Sequence, residues 1–253
     1  MTPEATSSSG GRPSRDSAEF ADEVRGMFDR ISGVYDLMNS AMTAGLHHEW
    51  RDRAVELSRV QPGSDALDLC TGTGDIALAL RERIGPDGRV VGVDFSEPML
   101  EKAREKGGER GLGVEFSWAD ALELPFADTS FDAVTIGFGA RNLADLDKGI
   151  AEMARVLRPG GRLVILEITR PVREPMASFF GLWFDRAVPA LGKVAGDPDA
   201  YTYLPESVKT FPDPRTLAGK LDAAGFEDIR WVLVAGGIIA LHSATRSAPA
   251  ADS

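Results

Sequence analysis

The sequence predicts an α/β fold, a three-layer sandwich in which helices cover both faces of a seven-stranded, mostly parallel sheet. Two observations indicate this fold. Five short apolar runs between residues 64 and 167 alternate with helical patterns, which is typical of parallel strands joined by helical crossovers. Two further apolar runs, at about 227–234 and 237–245, flank Gly236-Gly237 and predict a closing antiparallel hairpin.

The N-terminal part of the chain precedes the first strand and is predicted to be helical. Residues 1–17 are rich in Ser, Gly, Pro and Thr and predict a disordered tail, and residues 247–253 a second one. Residues 18–60 predict a helical cap that folds over the ligand site, ahead of a main domain at 61–246 with a helical insertion at 171–212. The first cap helix has apolar residues at helical spacing, at Phe20, Val24, Phe28 and Ile31.

The main domain then alternates strands and helices. The five parallel strands are predicted at 64–69, 89–94, 114–118, 131–136 and 162–167. The first helix begins near Asp75, and Ser96 is positioned to cap the second, which has Pro98 in its first turn. Asp145 caps a further helix, which the turn R-P-G-G ends before the fifth strand. A last helix is predicted at 214–224, ahead of the hairpin.

Composition and charge exclude several classes of protein. The chain has 253 residues, 43% of them hydrophobic, and a net charge of −11, which argues against nucleic acid as a partner. Cys70 is the only cysteine, so neither an internal disulfide nor a cysteine-based metal site is expected. His47 and His48 have no third ligand nearby in sequence, so no metal is expected there. The start has no apolar signal core and no run reaches transmembrane length, which predicts a cytoplasmic protein.

The first strand runs into a glycine-rich turn, Gly72-Thr73-Gly74, that presents free backbone N–H groups at a helix start. With Ala77, and with Asp94 at 94 − 74 = 20 residues past the second glycine, the turn fits a dinucleotide fingerprint. Asp68 and Asp75 flank it, however, and would repel a pyrophosphate. They suit a ligand with an amine and a positive charge, such as S-adenosylmethionine. The dinucleotide alternative stays open at this point.

Motifs in order along the chain resemble those of class I S-adenosylmethionine-dependent methyltransferases, which have a Rossmann-like sheet. They read L-D-L-C-T-G-T-G-D, V-D-F-S-E-P-M-L, L-P-F-A-D-T-S-F-D and L-R-P-G-G-R-L-V. Four further segments resemble the ubiquinone/menaquinone biosynthesis C-methyltransferase family. They are M-F-D-R-I-S-G-V-Y-D-L-M-N (27–39), T-I-G-F-G-A-R-N (135–142), Y-x-Y-L-P-E-S-V-x-x-F-P (201–212) and G-G-I-I-A-L-H (236–242). The resemblance covers roughly residues 20–246.

The resemblance implies transfer of a methyl group from S-adenosylmethionine to a ring carbon of a prenylated naphthoquinol, converting demethylmenaquinol to menaquinol. The T-G-T-G-D turn and the chain length favour this menaquinone branch. Alternatives are a related methyltransferase acting on a benzoquinol of the ubiquinone pathway, another small phenol or an amine. Rivals from other classes are a non-catalytic cofactor-binding protein and a dehydrogenase.

The cofactor-binding residues that the resemblance implies are Asp68, Gly72, Thr73, Gly74, Asp94, Phe95, Asp120, Ala121 and Gly137. Asp94 would accept hydrogen bonds from both ribose hydroxyls, which suits a carboxylate. Asp68 or Asp75 would hold the amine, and Asp120 would meet the adenine. Cys70 departs from the pattern, because many methyltransferases have glycine there and cysteine makes a positive φ costly.

The catalytic residues that the resemblance implies are Arg141, Asn142 and Tyr35. C-methylation needs an ionised ring hydroxyl, and a buried cation would stabilise it. Arginine is too basic for a general base, so Arg141 is assigned to stabilising the ionised oxygen or to polarising a water. The alternative is a structural ion pair of Arg141 with Asp145 or Asp147. Asn142 would orient Arg141 or the substrate oxygen. Tyr35 would face the cofactor sulfur or hydrogen-bond the quinol, and the equal alternative is a packed aromatic side chain with a solvated hydroxyl.

Three further expectations concern His242, a lipid tail and oligomeric state. His242 is expected to be a structural histidine bonded to backbone, with a proton relay as the alternative. The aromatic cluster Phe179, Phe180, Trp183 and Phe184 is expected in the core. Where exposed, it would line an entrance for a prenyl tail or contact a membrane surface. A homodimer is expected because it is the commonest oligomer.

Overall fold

The computed structural model describes residues 18–33, 35–43, 45–182 and 198–248. The predicted tail at 1–17 and the aromatic residues Trp183 and Phe184 lie outside these ranges. Ser247, predicted to begin the second tail, pairs with the fold, because its N–H donates to the Gly225 carbonyl at 3.1 Å. Residues 249–253 also lie outside the described part.

The helices and strands follow the predicted alternation. The helices are α1 (Ala18–Ile31), α2 (Tyr35–Thr43), α3 (His47–Ser58), α4 (Asp75–Ile84), α5 (Glu97–Glu109), α6 (Leu146–Val156), α7 (Met176–Leu182), α8 (Pro198–Thr210) and α9 (Pro214–Ala223). The strands are β1 (Asp65–Leu69), β2 (Arg89–Asp94), β3 (Glu115–Trp118), β4 (Phe131–Gly137), β5 (Leu157–Ile168), β6 (Phe226–Val234) and β7 (Ile239–Arg246).

The strands form one seven-stranded sheet in the order β3-β2-β1-β4-β5-β7-β6. Strands β1 to β5 pair in parallel, and β7 runs antiparallel to both of its neighbours. The predicted mostly parallel sheet with a closing hairpin is therefore confirmed. Strands β2 and β3 extend the sheet on one side of β1, and β4 and β5 extend it on the other side. Such a reversal of direction next to β1 opens a crevice at the carboxyl ends of the strands.

Helices cover both faces of the sheet, so the predicted three-layer sandwich is also confirmed. On one face Leu67 and Leu69 of β1 pack in a cluster with Ile150 and Met153 of α6. On the other face Ala66 packs with α4. Both faces are therefore buried, as parallel strands with apolar residues on both sides require.

The N-terminal helices divide between two roles. The α1 side chains Phe20, Val24 and Met27 are buried in a cluster with Tyr203 of α8. Helix α3 instead covers the sheet, since its Ala54 packs with β5 and β7. Helices α1 and α2 lie over the carboxyl ends of β1 and β2, where they contact residues 72, 73, 95 and 96. Helix α3 reaches the same edge through Arg51, which pairs with Asp75.

Two strand boundaries differ from the prediction by more than one residue. Strand β5 begins at Leu157 rather than at 162, because Leu157 already pairs with Phe131 before the register shifts. The R-P-G-G turn is therefore part of an irregular strand start and does not separate helix from strand. In the hairpin, Gly236 and Gly237 have φ of 68° and 93° in a short 3₁₀ turn, so β7 starts at Ile239 instead of 237.

None of the helices in the described ranges has the length and apolar character that crossing a membrane requires.

Candidate active site

The glycine-rich turn between β1 and α4 is tightly packed. Gly72 and Gly74 have φ of 56° and 85°, which favour glycine. A Cβ on Gly74 would also come within 2.9 Å of the Phe116 ring and 3.0 Å of Ala103. The Thr71 N–H donates to the Val93 carbonyl at 3.0 Å, which ties the turn to β2. The turn is thus fixed in place before any ligand contacts it.

Strained residues lie at the ends of two central strands. Cys70 after β1 has φ of 49° and Phe138 after β4 has φ of 58°. Cysteine therefore does adopt the positive φ that was expected to be costly for it. Gly139 packs against it so closely that a Cβ there would lie 2.4 Å from the Cys70 Cβ. Such strain is typically held in place at functional sites.

Asp94 ends β2 and faces the glycine turn. Its Oδ2 accepts a hydrogen bond from the Gly72 N–H at 2.8 Å, and its Oδ1 accepts one from Ser96 N–H at 3.0 Å. The side chain is 6% exposed, and burial raises the pKa of its carboxyl to about 6. Ser96 stands at the N-cap of α5 as predicted, but its hydroxyl donates to Asp29 of α1 at 2.6 Å and does not cap the helix.

Asp68 lies inside β1, one strand away. Its two oxygens accept hydrogen bonds from the Thr71 and Thr135 hydroxyls, both at 2.6 Å. Burial raises the pKa of its carboxyl to about 6. Within the described residues, neither Asp68 nor Asp94 has a cation at ion-pair distance.

Two buried carboxylates without cations fit a ligand that brings an amine, a positive charge and hydroxyl groups. They do not fit a pyrophosphate, which would add negative charge to the same edge. The residues present therefore fit S-adenosylmethionine, and the dinucleotide alternative is disfavoured.

Asp75, the other acid considered for the amine, is engaged elsewhere. It forms ion pairs with Arg51 of α3 and with Lys106 of α5, the latter at 2.9 Å. Although burial opposes its charge, these two cations lower the pKa of Asp75. Lys106 also contacts Asp36 of α2 at 2.6 Å and the Thr73 hydroxyl at 2.9 Å. Asp75 is thus part of a polar network that joins the cap to the glycine turn.

The same network has a second branch through His47. Its Nδ1 lies 2.8 Å from Arg51 Nη1, and its Nε2 lies 3.0 Å from the Ser40 hydroxyl of α2. Burial first, and then Arg51, lowers the pKa of His47 to about 4. Among the described residues no three His, Cys, Asp or Glu side chains are arranged to hold a metal ion.

The remaining predicted cofactor residues follow neighbouring strands at the same edge. Phe95 packs edge-on against a phenylalanine of α1, with ring centroids 6.1 Å apart. Asp120 is exposed beyond β3, and its Oδ1 accepts from a backbone N–H two residues on at 2.8 Å. Ala121 is half-buried against the core. A Cβ on Gly137 would lie 2.5 Å from an isoleucine of α4. The placement agrees with the predicted site, and the individual roles stay predictions.

Arg141 lies in a short 3₁₀ turn, Ala140–Asn142, directly after β4. Its Nη1 forms an ion pair with Glu167 of β5 at 2.7 Å, and its backbone N–H donates to the second Glu167 oxygen at 3.2 Å. Burial opposes the charge, but Glu167 raises the pKa of the Arg141 guanidinium. The alternative of an ion pair with Asp145 or Asp147 was wrong.

Those two acids have other partners. Asp145 caps α6 as predicted, accepting from Lys148 N–H at 2.9 Å, and Asp147 pairs with Lys220 at 2.7 Å. Arg141 is therefore held by the sheet and not by the start of the next helix.

The other two predicted catalytic residues are near the same edge. The Asn142 Oδ1 accepts a hydrogen bond from the Tyr203 hydroxyl of α8 at 3.0 Å. The Tyr35 ring lies over the turn, with its Cε1 4.0 Å from where a Cβ on Gly72 would stand. Both tyrosines are close enough to Arg141 to contribute to its electrostatic environment.

His242 is structural, as expected. Its Nε2 lies 2.9 Å from the Pro214 carbonyl, and its ring stacks on Trp231. Burial lowers its pKa. In the aromatic cluster, Phe180 is buried as expected, whereas Phe179 is 52% exposed.

Sequence reasoning missed Glu167 and Tyr203 as parts of the site. Glu167 is an acid at the end of the buried run R-L-V-I-L-E, which is a signal, since an acid there must be satisfied inside the protein. Tyr203 lay in a segment used only for the resemblance. Neither the partner of Glu167 nor that of Tyr203 is readable from sequence, because both contacts join distant segments.

Known structures have a similar fold. The cyclase SpnF has a similar structure, with a TM-score of 0.68 and 20% identity, covering 94% of this chain and 97% of that one. A SAM dependent methyltransferase from Aquifex aeolicus has a TM-score of 0.57 and 21% identity, covering 78% and 89%. These likenesses show the fold, which serves more than one chemistry.

Sequence relatives are closer. A demethylmenaquinone methyltransferase of Thermus thermophilus is 48% identical over 221 residues, covering 87% of this chain and 100% of the relative. A ubiquinone/menaquinone biosynthesis C-methyltransferase UbiE of Teredinibacter turnerae is 40% identical over 233 residues, covering 91% and 94%. A sequence model of the ubiE/COQ5 methyltransferase family matches residues 16–246. The chain therefore belongs to the ubiE/COQ5 methyltransferase family.

Proposed function

We propose that this chain transfers a methyl group from S-adenosylmethionine to a ring carbon of a prenylated naphthoquinol, converting demethylmenaquinol to menaquinol. The observation that carries the proposal is a buried cation, Arg141, placed at the same sheet edge as the two buried carboxylates Asp68 and Asp94. The edge therefore combines a site for a cationic, hydroxyl-bearing cofactor with a positive charge suited to an ionised phenol.

The residues that would hold the cofactor follow from their positions. Asp94 would accept from the ribose hydroxyls, and Asp68 would face the amine. The N–H groups of the Gly72–Gly74 turn, at the start of α4, would meet the methionine end. When bound, S-adenosylmethionine supplies an electrophilic methyl group on a sulfonium, which needs no metal.

Arg141 would act on the substrate oxygen. A naphthol hydroxyl gives up its proton to water, and the guanidinium stabilises the anion that remains. The negative charge would make the adjacent ring carbon nucleophilic. That carbon would form the new bond to the methyl group as the sulfur–methyl bond breaks, and the sulfur would keep the electron pair as the neutral thioether of S-adenosylhomocysteine. The ring proton at the same carbon then leaves to water, which restores the aromatic ring. Arg141 cannot be the base, because Glu167 raises the pKa of its guanidinium above a value that is already too high for proton abstraction.

A naphthoquinol is favoured over a benzoquinol because the Thermus thermophilus relative, named a demethylmenaquinone methyltransferase, is 48% identical. Relatives with the broader ubiquinone/menaquinone name, such as that of Saccharophagus degradans, are 42% identical. A benzoquinol therefore remains the second candidate substrate.

The lipid tail of the substrate has a candidate contact surface, which we name the apolar rim. Its residues are Leu37 of α2, Val172, and Phe179 and Leu182 of α7, all exposed. Helix α7 lies at the carboxyl edge, since its Phe180 and Val208 of α8 form a cluster against which Ile168, the last residue of β5, packs. Arg170 and Arg173 flank Val172 and are exposed. Apolar residues next to basic ones suit a peripheral contact with an anionic lipid surface.

The test is transfer of labelled methyl from S-adenosylmethionine to reduced demethylmenaquinone, with the corresponding benzoquinol run in parallel. Label in the naphthoquinol alone is the expected result. Label in both would show that the enzyme accepts a benzoquinol as well as a naphthoquinol. Label in neither, with cofactor binding measured by calorimetry, would leave the fold and family in place and remove the quinone substrate.

A homodimer is also proposed, on the frequency of such assemblies alone. Light scattering on the purified protein would test it.

A further inference from the structure

Arg141 and Asn142 lie on a short element that gives their side chains one shared local acceptor, the Phe138 carbonyl, at 2.5 Å from Arg141 Nη1 and 3.4 Å from Asn142 Nδ2. The 3₁₀ turn that carries them has only three residues, Ala140–Asn142. It follows Phe138, which has a positive φ of 58°. A single turn without a helix behind it has few internal hydrogen bonds, so its orientation depends on contacts from other elements.

Glu167 supplies the first of these contacts, from β5. Its Oε1 accepts from Arg141 Nη1 at 2.7 Å and from the Ile168 N–H at 2.8 Å. Its Oε2 accepts from the backbone N–H of Arg141 at 3.2 Å. Glu167 is 1% exposed, so one buried carboxylate grips both the backbone and the side chain of Arg141. Charge-assisted bonds of this kind are the stronger ones in proteins.

Tyr203 supplies the second contact, from α8. Its hydroxyl donates to the Asn142 Oδ1 at 3.0 Å, and the Asn142 Nδ2 lies 3.4 Å from the Phe138 carbonyl. The Tyr203 ring is buried against Phe20 of α1, with ring centroids 6.4 Å apart. The ring packs between α8, which carries it, and α1, and this packing fixes the position of the hydroxyl.

We propose that Glu167 and Tyr203 are positioning residues that clamp the Arg141–Asn142 turn from two separate elements, β5 and α8, and so set the rate of methyl transfer. This inference rests on the proposed function of Arg141. Neither residue needs to touch the cofactor. A change that loosens the clamp moves the guanidinium relative to the ionised ring oxygen, and small misplacements of a charge lower the rate of the chemical step.

The clamp makes a specific kinetic prediction. Tyr203→Phe keeps the ring and removes only the hydroxyl. Glu167→Gln keeps the shape, but its amide NH₂ would face an N–H of Arg141, so one of the bonds to Arg141 is lost. Each variant should lower kcat for a naphthoquinol by roughly 10- to 100-fold, with KM changed far less, because the defect lies in orientation.

The matched control for Glu167→Gln is Glu152→Gln. Like Glu167, Glu152 contacts both an arginine side chain and a backbone N–H. It pairs with Arg155 at 2.8 Å and accepts a hydrogen bond from the Leu124 N–H at 2.7 Å. It lies in α6, away from the candidate site. The control should keep the wild-type kcat. Cofactor affinity by calorimetry and the melting temperature are measured for every variant, and Tyr203→Leu is included to report on loss of ring packing.

A spectroscopic readout separates positioning from a loss of structure. The probe is 4-methoxy-1-naphthol, used in the absence of oxygen, whose ionisation shifts its absorbance to longer wavelength. Bound to the wild-type protein with S-adenosylhomocysteine, it should ionise roughly one or more pH units below its value in water, because Arg141 is near. Tyr203→Phe should return the ionisation toward the value in water without lowering cofactor affinity.

The outcomes distinguish the two proposals. The clamp is supported if the wild-type protein methylates the naphthoquinol and Tyr203→Phe has a reduced kcat and a naphthol ionisation shifted toward the value in water. Wild-type transfer with kcat retained within about twofold in both Tyr203→Phe and Glu167→Gln overturns the clamp and leaves the proposed function standing. A wild-type protein that binds the cofactor and methylates no quinol overturns the proposed function and the clamp with it.

Discussion

Single carboxylates at the carboxyl edge explain how this site selects its ligand. Asp68 and Asp94 are buried, and both have hydrogen bonds from neutral donors but no ion pair within the described residues. A buried carboxyl group in such surroundings resists ionisation. The cost is removed when a ligand brings a positive charge and further donors. The two residues therefore link ligand binding to proton release.

The linkage predicts a pH dependence of cofactor binding. Because burial raises the pKa of both carboxyls to about 6, each is protonated in the free protein below that pH. A ligand that requires the ionised forms must then displace protons, so its affinity should fall as pH decreases below about 6. The fall should approach tenfold per pH unit for each proton displaced. Calorimetric titration with S-adenosylmethionine between pH 5 and pH 8 measures it.

Variants sharpen the same measurement. Asp94→Asn should weaken binding at every pH and reduce the slope below pH 6, since one of the two titrating groups is gone. Asp132→Asn is the control, because Asp132 pairs with Arg158 at 2.7 Å at the opposite end of β4. An affinity of the wild-type protein that stays constant from pH 8 to pH 5 would contradict the linkage.

At this scale sequence reasoning found positions and missed partners. Arg141 was identified from the G-A-R-N segment, and the structure places it at the predicted edge. Its ion pair was misassigned to Asp145 or Asp147, because helix-start acids are close in sequence, whereas Glu167 is 26 residues away and meets Arg141 only through the pairing of β4 and β5. A partner of that kind depends on strand register, and a local sequence pattern does not predict the register between two strands.

Helix α2 is the element that completes the site, and polar contacts hold it. Asp36 pairs with Lys106 at 2.6 Å and accepts from the Thr73 hydroxyl at 2.7 Å. Ser40 is 3.0 Å from His47, which leads to Arg51 and Asp75. The helix carries Tyr35 over the glycine turn. Release of these contacts would open the methionine end of the cofactor site to solvent.

The contacts predict that Lys106 governs how long the cofactor stays bound. Lys106→Gln removes the charge that joins Asp36 to Asp75, so α2 should detach more often. Dissociation of S-adenosylmethionine should speed up by roughly two- to fivefold, the size expected for partly exposed ion pairs. Hydrogen exchange should rise in residues 35–43. Stopped-flow displacement and exchange mass spectrometry measure the two effects.

Arg104→Gln is the matched control for that change. Arg104 lies in the same helix, α5, and forms an exposed ion pair with Glu97 at 2.6 Å. It should leave both dissociation and exchange unchanged. If the Lys106 and Arg104 variants behave alike, the network does not hold α2.

Element boundaries were predictable where local patterns decide them. Strand β2 occupies the predicted range, since R-V-V-G-V-D is a buried run between a turn and a helix start. The start of β5 was not predictable, because Leu157 extends the strand through pairing with Phe131 and not through its own pattern. Helix α3 was assigned to the cap, and only tertiary packing shows that it covers β5 and β7.

On the scale of the whole molecule, the apolar rim and the buried charges occupy the same edge. The opposite edge has surface ion pairs, such as Arg158 with Asp65 at 2.7 Å. The net charge of −11 is compatible with a local lipid contact, because the exposed Arg170 and Arg173 flank Val172 of the rim. Orientation, and not overall charge, would decide how the protein meets a lipid surface.

The rim predicts that one acidic substitution separates tailed from tail-free substrates. Val172→Asp places a negative charge at a residue that is 89% exposed. It should reduce binding to vesicles of phosphatidylglycerol and phosphatidylcholine by roughly fivefold, as expected for a charge near an anionic surface. It should raise KM for a prenylated naphthoquinol and leave KM for the tail-free naphthoquinol unchanged. Vesicle sedimentation and the methyl-transfer assay measure these effects.

Val232→Asp controls for the added charge. Val232 is also exposed and apolar, but it lies on the edge strand β6. If both variants lose vesicle binding and affinity for the prenylated substrate equally, the effect comes from net charge. The rim then has no specific role in binding the lipid tail.

The position of β7 between β5 and β6 has a consequence for synthesis on the ribosome. Arg162 of β5 pairs with Thr245 of β7, so the two strands are separated by most of the C-terminal third of the chain. Until residues 239–246 have left the exit tunnel, β5 keeps one open edge while its parallel partner β4 is already available. An open edge on a buried strand is prone to pair with other chains. The nascent protein therefore passes through a stage in which the site's central strands are assembled but the sheet is not closed, and chaperones that shield such edges would act at that stage.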